Sequence, residues 1–215
     1  MAQMSKGVSV IVPTFNRAHL LSECMDALLA QSVPPEEIIA VNDGSTDGTR
    51  EVLERYQDRV KAVHKPNGGK ASALNAGLGA AAGDLIWIFD DDDLSLPHAL
   101  ETHLDALSRN PDAGFTFSGY HLGVPDAETG RLKIAATYEP FRGPAKSLFL
   151  AFALGASGPD VGFMLQQGML VRKACYDAVG PFEESFTHGE DVDMDLRLCR
   201  SFKGVPIETP TFIIR

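Results

Sequence analysis

Short apolar runs alternate with helical patterns through the first half of the chain, and this order constrains the fold more than any other feature. Four runs have the length of buried strands, at residues 7–12, 37–42, 60–64 and 84–89. Amphipathic helices are predicted at residues 18–30 and 49–56, and an alanine-rich helix is predicted at 70–82, before the stop signal of Gly83. Another helix is predicted to open at Pro97. Repeated strand–helix units predict an α/β fold, with a mostly parallel, Rossmann-like sheet flanked by helices.

The second half of the chain is less regular. Strands are predicted at residues 113–118 and 168–172, and a helix is predicted over 190–202 in which Val192, Leu196 and Cys199 share one face. Proline and glycine accumulate between residues 119 and 160, which predicts a loop-rich portion and not a linker. Because 215 residues with 44% hydrophobic content fit one domain, we expect a single domain over 1–215.

Net charge and cysteine usage argue against several classes of protein. The formal net charge of −10 disfavours a nucleic-acid partner, because binding to a phosphate backbone relies on clustered lysine and arginine. Cys24, Cys175 and Cys199 lie far apart and show no metal-ligand spacing, so neither a disulfide framework nor a zinc site is predicted. A reducing cytoplasm is the simplest compartment to expect.

The hydrophobic pattern predicts neither export nor a membrane span. The N-terminus lacks a basic segment followed by an apolar stretch of signal-peptide length. The longest apolar run, residues 148–154, is far shorter than the roughly 20 residues that cross a bilayer. A buried helix is the preferred interpretation of this run, and a peripheral contact with the inner face of the membrane is the alternative.

Polar residues follow each of the four strands predicted in the first half. The segments are Pro13-Thr14-Phe15-Asn16-Arg17, residues 42–48, residues 65–70 and Asp90-Asp91-Asp92-Asp93. Parallel sheets bind ligands at the carboxyl ends of their strands, so these loops are expected to meet at one edge. Each loop alone is consistent with ordinary turn or helix-cap chemistry. Arg17 and Lys70 beside the carboxylates favour instead a site for a metal-bound phosphate.

The run of four aspartates at 90–93 is the sharpest local feature. Adjacent carboxylates at the end of a strand repel one another and raise each other's pKa unless a cation neutralises them. Mg²⁺ and Mn²⁺ prefer oxygen ligands and often use one or two carboxylates together with substrate phosphates. The run therefore predicts a divalent metal that bridges a diphosphate, and a solvated loop that caps the next helix is the alternative.

A second acidic cluster opens the helix predicted over residues 190–202. Acidic residues in a first helical turn complement the helix dipole, so part of this cluster is expected only to stabilise the helix. Asp191 is the candidate for a further role, because a carboxylate that faces a cleft can take a proton from an attacking hydroxyl.

Five segments of the chain follow one another in the order of a known family. They are residues 8–17, residues 41–49 (VNDGSTDGT), Asn67-Gly68-Gly69-Lys70 with Asn75-Ala76-Gly77, residues 89–93 followed by Pro97, and residues 189–193 followed by Leu196-Arg197-Leu198. Together they resemble family 2 glycosyltransferases of the GT-A fold. The resemblance spans nearly the whole chain and implies that about residues 1–118 bind a nucleotide-sugar donor, while about residues 119–215 form the acceptor side and carry the base.

The resemblance also implies a role for each matched residue. It places Pro13, Thr14 and Arg17 near the nucleotide, Asp43 toward the base, Lys70 near the base or phosphates, and Asp90 and Asp91 in the donor site. Asp92 is implied to ligate the metal, Mn²⁺ or Mg²⁺. Asp191 matches the family's catalytic aspartate.

The reaction that the resemblance implies is inverting glycosyl transfer, with UDP as the commonest family choice of nucleotide. Asp191 would deprotonate the acceptor hydroxyl, which attacks the anomeric carbon as the nucleoside diphosphate leaves. The metal would stabilise the leaving group while the cleft aligns donor and acceptor. The implied acceptor is a sugar or a lipid-linked molecule, in the synthesis of a polysaccharide or glycoconjugate.

Three other classes of protein stay as alternatives. A nucleotidyltransferase would carry a glycine-rich, basic phosphate loop directly after the first strand, and Pro13-Thr14-Phe15-Asn16 is not such a loop. A nicotinamide oxidoreductase would carry G-x-G-x-x-G there, which is missing. A non-catalytic protein that only binds a sugar nucleotide is the alternative from another class, and Asp92 and Asp191 argue against it.

Overall fold

A mixed sheet of seven strands forms the centre of the protein. The computed structural model describes residues 7–129, 131–140 and 166–215. The described strands are β1 (Val8–Thr14), β2 (Glu37–Asp43), β3 (Lys61–Lys65), β4 (Leu85–Ile88), β5 (Leu94–Ser95), β6 (Phe115–Ser118), β7 (Tyr120–Pro125), β8 (Leu132–Tyr138), β9 (Met169–Arg172), β10 (Gly204–Ile207) and β11 (Phe212–Ile214). The described helices are α1 (Ala18–Leu29), α2 (Thr49–Glu54), α3 (Lys70–Ala80), α4 (Ala99–Arg109), α5 (Lys173–Val179) and α6 (Glu190–Ser201).

The first four strands pair in parallel, as the alternation of strands and helices predicts. β1 lies between β2 and β4, and β3 pairs with β2. The full order of the large sheet is β10-β6-β9-β4-β1-β2-β3. β9 runs antiparallel to both of its neighbours, β4 and β6. The start of β9 therefore lies at the edge of the sheet where β1 to β4 end, and the chain enters β9 beside the predicted site.

Two hydrophobic clusters cover the two faces of the large sheet. Alternate residues of β1 divide between them, with Val10 and Val12 in one cluster and Ile11 in the other. Helices α1 and α4 contribute to the first cluster, and α3, α5 and α6 contribute to the second. Gly77 of α3 lies so close to β1 that an added Cβ would overlap Ile11 Cγ2. A residue without a side chain is therefore needed where α3 crosses the sheet.

The elements predicted from the sequence are present, and their ends lie no more than two residues from the predicted ends. The helix predicted to open at Pro97, for example, begins at Ala99. The apolar run at 148–154 lies outside the described residues, so its interpretation as a buried helix stays a prediction. None of the helices within the described ranges is both long enough and apolar enough to cross a membrane.

A smaller sheet of four strands has the order β5-β11-β7-β8. Within it β7 and β8 form an antiparallel hairpin, which the sequence did not predict in this loop-rich portion. The hairpin was missed because β8 is an edge strand whose side chains are mostly exposed, so it lacks the pattern of a buried strand. Tyr120 of β7 and Phe212 of β11 lie in the first hydrophobic cluster.

Helix α6 does not bury the face that the sequence predicted. Its buried residues are Glu190, Met194, Asp195, Leu198 and Cys199. Val192 is 47% exposed and Leu196 is only partly buried, so of the three residues predicted to share a face only Cys199 is buried. The apolar pattern misled because two carboxylates lie on the face that packs against the protein.

Candidate functional site

Two cations pair with two aspartates at the carboxyl edge of the large sheet. Arg17 precedes α1, and its Nη1 lies 2.9 Å from Asp92 Oδ2. Lys70 begins α3, and its Nζ lies 2.7 Å from Asp90 Oδ1. The loops that follow β1, β3 and β4 therefore meet, as the sequence predicts.

The acidic run after β4 folds into a compact group of carboxylates. One carboxylate oxygen each from Asp90, Asp92 and Asp93 lies within 4.8 Å of the others. Asp91 is not a member of this group; its side chain is buried and lies beside the hydroxyl of Thr14, which acts to lower its pKa. Closely grouped carboxylate oxygens of this kind fit a hard divalent cation such as Mn²⁺ or Mg²⁺.

Burial is the main electrostatic influence on two members of the run. It raises the pKa of Asp91 to about 7, and the charges of Asp92 and Asp90 act in the same direction. Burial also raises the pKa of Asp93 to about 7, with the charges of Asp90 and Asp92 adding to the effect. The mutual repulsion that the sequence predicts is thus present, although desolvation exceeds it.

The side chain of Asp43, at the end of β2, binds the loop that follows β3. Its side chain accepts hydrogen bonds from Lys65 Nζ at 2.6 Å, from Gly68 N at 3.0 Å and from Gly69 N at 2.8 Å. The residue is only 3% exposed. Asp43 therefore fixes the loop that leads into Lys70, which the sequence did not predict, while its predicted place near a nucleotide base stays a prediction.

Pro13 and Thr14 form the buried end of β1, next to the loop that carries Arg17. Asn16 in this loop has a positive φ of 54°. Its Oδ1 accepts a hydrogen bond from Thr46 N at 2.8 Å, and its own N–H donates to Ser45 Oγ at 3.0 Å. The loops after β1 and β2 are therefore held together beside the acidic run.

Asp191 lies in the first turn of α6. The helix follows Gly189, whose φ of 83° is in the left-handed region that favours glycine. Asp191 is partly buried, and its Oδ1 accepts a hydrogen bond from Val192 N at 2.8 Å. Burial lowers the pKa of Lys70, but its pair with Asp90 and the charges of Asp191 and Glu190 outweigh burial and raise it. Lys70 therefore lies within electrostatic reach of both acidic clusters.

Asn75 of α3 connects that helix to the segment before α6. Its Nδ2 donates to the Phe182 carbonyl at 3.0 Å, and its Oδ1 accepts from Phe182 N at 2.8 Å. From the other side, Arg197 of α6 donates to the carbonyls of Val179 at 2.9 Å and Gly180 at 3.2 Å. The two side chains hold the segment 179–182 between α3 and α6, and so connect the two helices.

Two buried residues at this edge, Gln166 and Gln167, were not found from the sequence. The site residues predicted at the sheet edge follow strands, whereas these two precede the antiparallel strand β9. A buried polar pair directly before an apolar strand is the signal that points to them. The site residues that were predicted from the sequence also lie at this edge of the sheet or in the first turn of α6.

The sequence matches the family model of glycosyl transferase family 2 over residues 9–168. The chain belongs to this family. An uncharacterised glycosyltransferase of Rickettsia typhi is 38% identical over 205 residues, which are 90% of this chain and 58% of the Rickettsia protein. The matched region is 54% and 58% of the length of two such relatives, and it is only 16% of the chondroitin synthase of Pasteurella multocida.

Two solved structures resemble this family 2 chain. The crystal structure of S. aureus TarS in complex with UDP-GlcNAc has a TM-score of 0.72 at 20% identity, over 96% of this chain and 57% of the other. A Pyrobaculum calidifontis mannosyltransferase in complex with GDP-Man and Mn²⁺ has a TM-score of 0.70 at 21% identity, over 99% of this chain and 57% of the other. Identities this low establish the fold alone, and it is the GT-A fold expected from the sequence.

The buried carboxyl of Asp195 leads to a prediction about stability and pH. Burial, together with the charge of Asp191, raises the pKa of Asp195 well above its usual value, so the fold favours the neutral carboxyl. The stability that this group contributes is present below its unfolded pKa near 4 and is lost as pH rises toward its folded pKa. We expect Asp195→Asn to gain about 1.4 kcal/mol in free energy of unfolding over wild type for each pH unit in that range.

Denaturant unfolding of wild type and Asp195→Asn between pH 4 and pH 8 measures this difference. Asp177→Asn, which alters an exposed carboxylate paired with Lys173, is the matched control and should follow the wild-type profile. Parallel profiles for wild type and Asp195→Asn would contradict the assignment of a neutral Asp195.

Proposed function

We propose that this chain transfers a sugar, with inversion, from a nucleoside-diphosphate sugar to an acceptor hydroxyl. The observation that carries the proposal is the position of Lys70. Its Nζ pairs with Asp90 after β4, and the charge of Asp191 in α6 helps to raise its pKa. In this proposal, a diphosphate bound beside the acidic run would present its sugar to Asp191. In-line transfer needs this arrangement, because the reacting groups must be held close and aligned.

In this proposal the acidic run would hold the divalent metal. Asp92 would ligate Mn²⁺ or Mg²⁺, with Asp90 and Asp91 beside it in the donor site. The bound ion supplies neutralisation of the charge that develops on the leaving diphosphate. Arg17 and Lys70 add two positive charges at the same edge, where they favour binding of phosphate oxygens.

The nucleotide would lie over the ends of β1 and β2. Pro13, Thr14 and Arg17 would contact it, and Asp43 would shape the site for the base through the loop that it holds. UDP and GDP are the first nucleotides to consider, because they occur in the donors bound to the two similar structures. The acceptor would be a sugar or a lipid-linked molecule that enters from the side of α6.

Asp191 would act as the general base. It would take the proton of the acceptor hydroxyl as that oxygen attacks the anomeric carbon, so no covalent sugar intermediate is required. The hydrogen bond from Val192 N holds one of its carboxylate oxygens and sets the orientation of the group. The cytoplasmic location and the peripheral membrane contact stay predictions from the sequence.

A thermal-shift screen of UDP, GDP and TDP tests the donor part of the proposal. A ligand that binds only the folded state raises its stability, so one nucleotide with Mn²⁺ should raise Tm by about 5–10 °C at roughly 100 times Kd. The corresponding nucleoside monophosphate is the control, and it should shift Tm less because it lacks the phosphate that the metal would bridge. Equal shifts with Mn²⁺ and with EDTA would contradict a metal-dependent donor site.

A further inference from the structure

The chain enters β9 through two adjacent buried glutamines. Gln166 and Gln167 lie in the 3-10 turn that precedes this strand, and they are 4% and 7% exposed. Because β9 is antiparallel to β4, this turn lies at the edge where β4 ends in the acidic run. Trp87 of β4 donates a hydrogen bond from Nε1 to the Gln167 carbonyl at 2.7 Å. The backbone of the turn is thereby fixed against β4.

The side chain of Gln167 faces the acidic run. Its Nε2 donates to Asp90 Oδ2 at 2.6 Å and to Asp93 Oδ2 at 2.9 Å. Both protons of one neutral amide are thus used on two carboxylates of the same cluster. The other oxygen of Asp90 pairs with Lys70 Nζ at 2.7 Å, and that of Asp93 accepts from Arg215 N at 3.2 Å, so Gln167 completes the support that sets the orientation of both carboxylates.

The side chain of Gln166 faces α6. Its Nε2 donates to Asp195 Oδ1, and its Oε1 accepts a hydrogen bond from Tyr176 Oη at 3.1 Å. Asp195 is 1% exposed and lies one helical turn after Asp191, so the two side chains are on the same side of α6. Gln166 therefore fixes the rotation of the helix that carries the proposed base.

We propose that Gln166 and Gln167 are a pair of positioning residues, one for the base helix and one for the metal-binding carboxylates. This inference rests on the proposed function, because it assigns the two glutamines to the two halves of that site. The residues are consecutive in a turn fixed by Trp87, so their amides hold the acidic run and α6 at one separation. A diphosphate at the run and a base on α6 must keep such a separation for in-line attack.

The substitutions Gln166→Met and Gln167→Met test the pair, and each variant is the control for the other. Methionine keeps the unbranched shape and lacks the amide, and the two sites are almost equally buried. Gln167→Met should weaken Mn²⁺ binding about tenfold, measured by electron paramagnetic resonance with Mn²⁺ alone, because its carboxylates lose their supporting donor. Gln166→Met should leave Mn²⁺ affinity within about twofold of wild type.

In α6, which carries the proposed base, the larger effect is expected from the Gln166 variant. Gln166→Met should speed hydrogen–deuterium exchange in the second turn of α6, around Asp195, about tenfold and lower kcat about tenfold at unchanged donor KM, because the base is less well placed. Gln167→Met should leave that exchange unchanged. If the methionine variants do not fold, Gln166→Asn and Gln167→Asn withdraw each amide by one methylene and should give the same split.

Equal changes in both variants, in Mn²⁺ affinity and in exchange alike, would overturn the positioning pair and indicate two ordinary buried amides. Absence of any change would overturn it as well. Failure of the wild-type protein to turn over any nucleotide sugar would instead overturn the proposed function. The Mn²⁺ and exchange measurements need no turnover, so they decide on the pair in either case.

Discussion

Asp191→Asn should lose sugar transfer by about 10²–10⁴-fold while donor binding survives. This range is what a positioned general base contributes, and asparagine keeps the size of the side chain but cannot take the proton. Asparagine also keeps Oδ1, which accepts the hydrogen bond from Val192 N, so the start of α6 should stay in place. Transfer rates under saturating donor, together with Kd of the nucleoside diphosphate, measure the two effects separately.

Asp193→Asn is the matched control for this experiment. Asp193 lies in the same helical turn and pairs with Arg197 at 2.7 Å, so its change removes one negative charge from the same part of α6. Either substitution should lower the free energy of unfolding by about 0.3–1 kcal/mol, because it removes a negative charge that stabilises the helix dipole. Only Asp191→Asn should lose sugar transfer while it still binds the donor. Undiminished transfer by Asp191→Asn would remove this residue as the base.

Asp92→Ala should weaken metal-dependent donor binding by about 10²-fold. The expected loss is at the upper end of what removal of a supporting metal-site residue costs, because Asp92 is the proposed ligand itself. Metal-free nucleotide binding should persist, since Arg17 loses its carboxylate partner and becomes available to phosphate oxygens. Titration of the nucleoside diphosphate by calorimetry, with Mn²⁺ and with EDTA, measures both quantities.

Two further variants define this result. Asp105→Ala removes an exposed carboxylate that pairs with Arg109 on α4, and it should leave both affinities unchanged. Asp93→Ala removes the neighbouring member of the carboxylate group. Loss of metal dependence in Asp93→Ala but not in Asp92→Ala would move the ligand to the next residue in the run.

The part of the candidate site at the ends of β1 to β4 could be predicted from the sequence because its elements are consecutive parallel strands. In such a sheet, the segment after each strand must reach the same edge, so the order of Arg17, Lys70 and the acidic run was enough to bring them together. The pairs Arg17–Asp92 and Lys70–Asp90 are the structural outcome of that rule. No long-range information beyond strand direction was needed.

The other half required information that the periodic pattern does not contain. A strand's direction relative to its neighbours cannot be read from its apolar residues, so the antiparallel entry of β9 and the placement of Gln166 and Gln167 went unpredicted. The buried face of α6 was assigned wrongly for a related reason, because Glu190 and Asp195 are buried carboxylates. Buried polar groups depend on partners from elsewhere in the chain, and those partners emerge only with the fold.

The most direct test of the account is donor turnover by the wild-type protein, followed as release of nucleoside diphosphate from a panel of nucleotide sugars with Mn²⁺ and with EDTA. We expect release from at least one donor in the presence of the metal, faster when a suitable acceptor is added, and loss of that release when EDTA removes the metal. Metal-dependent nucleotide binding without turnover of any nucleotide sugar would contradict the account and indicate a protein that only binds the donor.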